Sequence, residues 1–142
     1  MLRVVLDTSV VATAFRSNKG ASFALLQAVA SNQIRLIATP PLFLEYEDVL
    51  KRPEQRVVTR LSLADVDQVL DALAAWIEPV EVHLHWRPQL RDPGDELVLE
   101  AAVNGRADAL VTFNIRDFVA AAPRFGLRLA KPVEILREIR DE

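Results

Sequence analysis

Three short apolar runs constrain this chain more than any other feature. Leu2-Arg3-Val4-Val5-Leu6, Ile34-Arg35-Leu36-Ile37-Ala38 and Ala109-Leu110-Val111-Thr112 lack the strict polar alternation of a strand with one wet face. Runs of four or five such residues read as strands buried on both faces, which a parallel sheet covered by helices provides. Pro79-Val80-Glu81-Val82 and Leu127-Arg128-Leu129 are shorter strand candidates. Helical patterns fill the intervals. Ser9 is placed to cap a short helix reaching about Phe15, and Gly20 starts a second with Phe23, Leu26, Gln27 and Ala30 in period. Pro40-Pro41 opens a helix through Leu50 to about Arg52, where the missing N–H costs nothing. Ser62, followed by Asp65, opens the longest helix, with Leu63, Val66, Leu70, Leu73, Ala74 and Ile77 inward. His83 to Gly94 reads as irregular, Asp95 to Asn104 as a helix closed by Gly105. Asn114 would cap a helix holding Phe118, and Pro132 to Ile139 forms the last one. Strand and helix in alternation predict a three-layer α/β/α sandwich around a central, mainly parallel sheet of four to five strands. One domain over 1–142 accounts for the whole pattern, with no repeat or linker.

Composition narrows the classes. An apolar fraction of 51% supports a packed core rather than a disordered chain. The absence of cysteine excludes a disulfide scaffold and any thiolate-held zinc or iron–sulfur site, and suits a reducing cytosol. No apolar run approaches the roughly 20 residues of a membrane helix, and Asp7 interrupts the N-terminal run before it could serve as a signal segment. A cytoplasmic protein is expected. The net charge of −3 argues against indiscriminate binding to nucleic acid, although it leaves local basic patches open.

In open parallel sheets, chemistry gathers outside the carboxyl ends of the strands. Asp7 ends the first strand there, and Asp117 follows the strand closing at Thr112, whereas Asp108 precedes that strand and belongs to the opposite edge. On the proline-led helix, Glu47 and Asp48 have Lys51 and Arg52 four residues on, the spacing of solvated ion pairs. Glu45, with Leu42 and Val49 around it, lies on or beside the buried stripe and needs a partner there. Asp92-Pro93-Gly94-Asp95 is a turn running into a helix start, where Asp95 suits a cap and Asp92 is an ordinary turn residue. If Asp7, Glu45, Asp95 and Asp117 converge, their repulsion demands protons or cations. Oxygen ligands alone favour Mg²⁺ or Mn²⁺, which can bind a phosphate oxygen and acidify a water.

Leu6-Asp7-Thr8-Ser9-Val10, Phe43 to Leu50, Arg91-Asp92-Pro93-Gly94-Asp95-Glu96 and Leu110 to Phe118 together resemble the PIN-domain family, in order and at similar spacings. Within that family the chain is similar to stand-alone bacterial toxins of type II toxin–antitoxin systems, the VapC-like ribonucleases. The resemblance implies metal-binding acids at Asp7, Glu45 and Asp95, with Asp117 as the fourth and Asp92 auxiliary. Thr8, Ser9 and Thr112 would hold carboxylates or water in place. Many relatives carry an acid where Asn114 stands, which makes Asn114 a helix cap or an outer donor here. The implied reaction is metal-dependent hydrolysis of RNA to a 3′-hydroxyl and a 5′-phosphate. An antitoxin partner and a homodimer are implied as well, with the helices Gly20–Ala30 and Pro41–Leu50 as candidate surfaces. Arg116, Arg16 and Lys19 would grip the RNA backbone.

Two other classes compete. A degenerate PIN domain would bind RNA or protein without cutting, and Asn114 is the feature that favours it. A phosphoryl-transfer enzyme would use Asp7 as nucleophile, but Ser9 stands where a second acid would be wanted. His83 and His85 lack a third ligand nearby, and Trp76 fits packing better than base stacking, which leaves Trp86 as the other indole. Asp65, Asp67 and Asp71 read as a solvated helix face.

Overall fold

A computed structural model describes residues 1–84 and 88–141. Its sheet has five parallel strands, β1 (Arg3–Leu6), β2 (Arg35–Ala38), β3 (Ile77–Pro79), β4 (Ala109–Val111) and β5 (Leu129–Ala130), in the spatial order β3-β2-β1-β4-β5. The order reverses at β1: successive strands first step outward through β2 and β3, and β4 then returns to the other side of β1. Such a reversal leaves a crevice at the carboxyl ends of the central strands, the usual ligand position in this architecture.

The central strands carry no alternation because both their faces are covered. Val4, Val5 and Leu6 are fully buried, as are Leu36, Ile37, Ala109, Leu110 and Val111. The covering helices are α1 (Thr8–Ala14), α2 (Ala21–Ala30), α3 (Pro40–Lys51), α4 (Pro53–Thr59), α5 (Leu63–Trp76), α6 (Pro93–Asn104), α7 (Ile115–Phe118) and α8 (Pro132–Arg140), with a 3₁₀ turn at Ala122–Phe125. Prolines at the first helical positions start α3, α4, α6 and α8 without losing a hydrogen bond. Ser62 and Asp65 form the reciprocal capping box that opens α5.

Several sequence expectations shift. Helix α5 ends at Trp76, and Ile77 begins β3 opposite Leu36, two residues before the strand expected at Pro79. Leu63 and Ala74 are exposed rather than inward. Neither Ser9 nor Asn114 caps a helix through its side chain. Ser9 turns to Asp7 instead, and the first helix takes Asp7 itself as its N-cap residue. The ion pairs Lys51–Glu47 (2.9 Å) and Arg52–Asp48 (2.7 Å) form as expected. Asp108 sits at the far edge, its carboxylate accepting from the Arg3 amide at 2.8 Å. Trp76 packs partly buried against the core, while His85 and Trp86 lie outside the described residues.

Candidate active site

Asp7 stands at the point where β1 gives way to α1, and only 5% of it is exposed. Its amide donates to Val111 at 2.8 Å, extending the β1–β4 ladder by one bond. Its Oδ2 accepts from Thr112 Oγ1 at 2.7 Å and from Ser9 Oγ at 3.0 Å. The Thr112 hydroxyl accepts in turn from the Asn114 amide at 2.9 Å. Because both donors fall on one oxygen, the rotation of the carboxylate is fixed. The backbone of Asn114 is thereby tied to the Asp7 network.

Helix α3 packs on α6 and carries Glu45 up to Gly94 at the start of that helix. A methyl group at Gly94 would lie 3.3 Å from Glu45 Oε1 and 3.0 Å from Asp92 Oδ1, so glycine lets these carboxylates approach the α6 backbone. Asp92 is the N-cap of α6, accepting from the Gly94 amide (2.7 Å) and the Asp95 amide (3.1 Å). The capping role therefore belongs to Asp92, and the Asp95 side chain is released from it. Burial, then the charges of Asp7, Asp92 and Asp117, push the Asp95 carboxyl up to about 6. Asp95 thus registers the field of three other acids drawn from β1, α6 and α7.

Asp92, Asp95 and Asp117 line a cleft of about 440 Å³ whose other walls are Gln89, Leu90, Arg91, Arg116 and Ala120. Arg116 lines this cleft. Arg16 and Lys19 are not among the lining residues. Arg16 points its Nε at Gln55 Oε1 (2.7 Å), tying the end of α1 to α4, and Lys19 is exposed. Among the described residues, no three carboxylate or histidine side chains stand close enough to hold one metal ion as they are placed. The donor set nonetheless suits a hard cation, being all-oxygen and crowded with negative charge, and the hydroxyl of Thr8, next in sequence to Asp7, is buried without a hydrogen-bond partner among the described residues.

Tyr46, Gly94 and Glu96 escape the sequence reading. Tyr46 is wholly buried, and its phenol donates to the carbonyl of Leu6, the residue before Asp7. Burial, with the Asp7 charge nearby, pushes the pKa of its phenol far above the physiological range, so it remains a donor. The available signal was its place in the stripe Leu42–Tyr46–Leu50, since a buried tyrosine hydroxyl needs a partner. Glu96 accepts from the amides of Gln89 and Leu90 and so holds one wall of the cleft.

The PIN domain family model matches residues 3–116 of the chain. The chain belongs to the PIN domain family. This PIN domain also superposes on the crystal structure of VapBC2 from Rickettsia felis bound to a DNA fragment from their promoter. The TM-score is 0.60 at 15% identity, over 92% of this chain and 98% of that one. At that identity the match establishes a shared fold. No curated protein matches the sequence. The three-layer α/β/α sandwich expected from the apolar strands is thereby the PIN architecture, and no helix among the described residues is long and apolar enough to cross a membrane.

Proposed function

We propose that this PIN domain is a metal-dependent endoribonuclease that hydrolyses RNA phosphodiesters and acts as the toxin of a toxin–antitoxin pair. The observation that carries the reading is the gathering of Asp7, Asp92 and Asp117 around Asp95, whose carboxyl burial and those charges hold near 6, with Glu45 brought against Gly94 beside them. Asp7, Glu45 and Asp95 would hold Mg²⁺ or Mn²⁺, with Asp117 as the fourth acid. Bound there, the cation would neutralise phosphate charge and lower the pKa of water. Thr112 and Ser9 keep the Asp7 carboxylate in one orientation. Asp92 caps α6 so that Asp95 faces the crevice. Arg91 and Arg116 line the same cleft as the acids, where guanidinium groups suit backbone phosphates.

The shared fold with a VapBC2 toxin–antitoxin complex supports an antitoxin as the cellular partner. A homodimer and a cytoplasmic location belong to the same reading. The test is cleavage of mixed structured RNAs by wild type and Asp7→Asn in EDTA, Mg²⁺ or Mn²⁺. Cleavage that needs metal and disappears in the variant is expected. Intact RNA with folded, metal-supplied wild type would overturn the nuclease reading in favour of a binding module. An active Asp7→Asn preparation would remove Asp7 from the site.

A further inference from the structure

We infer that Tyr46 is a positioning residue that sets the separation between the Asp7 and Glu45 carboxylates. The inference rests on the reading of those two acids as cation ligands. Tyr46 follows Glu45 on α3, is completely buried, and donates its phenolic hydrogen to the Leu6 carbonyl. Leu6 immediately precedes Asp7. One side chain therefore ties the helix bearing one acid to the strand end bearing the other.

The strand pairing shows why that tie is needed. On its β4 side, β1 is in register through Leu6, opposite Val111. On its β2 side the register covers only Arg3 and Val4, opposite Arg35 and Leu36. Beyond Ala38 the chain turns through Thr39, whose hydroxyl accepts from the Leu42 amide, and enters α3. Near the crevice, then, α3 is joined to the end of β1 by a side-chain bond. A buried carbonyl requires a donor, and the phenol supplies one at this junction.

A bond of this kind can matter to the fold, to the site, or to both, and metal affinity separates the cases. Ligand geometry has to be held within about 0.5 Å, and losing an outer partner of a metal site typically costs about 10–100-fold in affinity. Tyr46→Phe preserves the ring and removes only the hydroxyl. Ile135→Val, a core truncation in α8, supplies a comparable loss of stability away from the acids. Mn²⁺ affinity is measured for wild type and both variants by electron paramagnetic resonance, with circular dichroism to verify folding. Tyr46→Phe is expected to bind Mn²⁺ about 10-fold more weakly, and Ile135→Val to bind as wild type does. Placing 4-aminophenylalanine at position 46 restores a donor and is expected to recover most of the affinity. An unchanged affinity in Tyr46→Phe, equal weakening in Ile135→Val, or failure of the 4-amino variant to recover affinity would each overturn the inference. Those results leave the ligand reading intact if wild type binds Mn²⁺. A wild type that binds no Mn²⁺ overturns both. Should Tyr46→Phe not fold, the 4-amino variant compared with wild type decides alone.

Discussion

Asp95 takes up its proton near pH 6 because burial and three neighbouring acids oppose its charge. In an unfolded chain it would do so near 3.8. Between those values the folded protein binds more protons than the unfolded one, so Asp95 makes stability fall as pH rises. The full penalty is present above pH 6. After allowance for solvent screening of a partly exposed group, it is about 1 kcal/mol. Asp95→Asn should therefore raise the melting temperature by about 3 °C at pH 7.5 while abolishing metal-dependent cleavage. The stabilisation should vanish near pH 4, and thermal melts of both proteins across that range check it. Gly94 permits a second test of the same crowding. Alanine there should strengthen α6 by up to about 1 kcal/mol through helix propensity. Its methyl group would meet Asp92 and displace Glu45, so Mn²⁺ affinity should fall several-fold while the melting temperature holds or rises. A joint loss of both would mean the backbone had moved. Asp7 was legible in the sequence because strand-end position alone exposes it. Tyr46 was not, since its role depends on a carbonyl forty residues away.

At the scale of elements, α6 organises the irregular stretch that precedes it. Asn104 Oδ1 accepts from the amides of His83 (3.0 Å) and Leu84 (2.9 Å), while its Nδ2 donates to the carbonyls of Leu84 (3.1 Å) and Glu100 (2.9 Å). One turn from its start, Glu96 gathers the Gln89 and Leu90 amides. Asn104→Ala should leave the core intact, costing about 1 kcal/mol, yet speed amide exchange at His83 and Leu84 at least tenfold. Hydrogen-exchange mass spectrometry over that segment is the check; unchanged protection would show that the loop is held elsewhere. Local chemistry made the starts of α3 and α5 readable, through proline and capping signals, whereas α6 begins at Pro93, two residues before the expected Asp95. Their ends were harder. The α5 stripe runs on through Ile77 at helical spacing, and only pairing with Leu36 converts that residue to a strand. Pro53 stops α3 next to the expected end at about Arg52, because its ring cannot sit within a continuing helix, and it starts α4, a helix the sequence reading did not place.

For the whole molecule, periodicity established parallel strands under helices but not their order, since crossover connections leave the side on which each strand joins undecided. That order matters, because it brings β1 beside β4 and places Asp7 against Thr112 across 105 residues. The acids of the proposed site come from β1, α3, α6 and α7, so a cation held by them would link elements spanning residues 7–117. Unfolding would release that cation, and binding to the folded state alone adds about 2.7 kcal/mol at a concentration 100 times the dissociation constant. For a chain of this length the melting temperature should then rise by about 8 °C with Mn²⁺ at pH 7.5, and EDTA should reverse it. At pH 5, where Asp95 is mostly protonated, protons compete for a ligand and the increment should shrink markedly. Asp7→Asn should lose the increment at both pH values while remaining folded. A melting temperature indifferent to Mn²⁺ at pH 7.5 would mean that these acids share a crevice without sharing an ion, and the cleft would then have to act through its arginines.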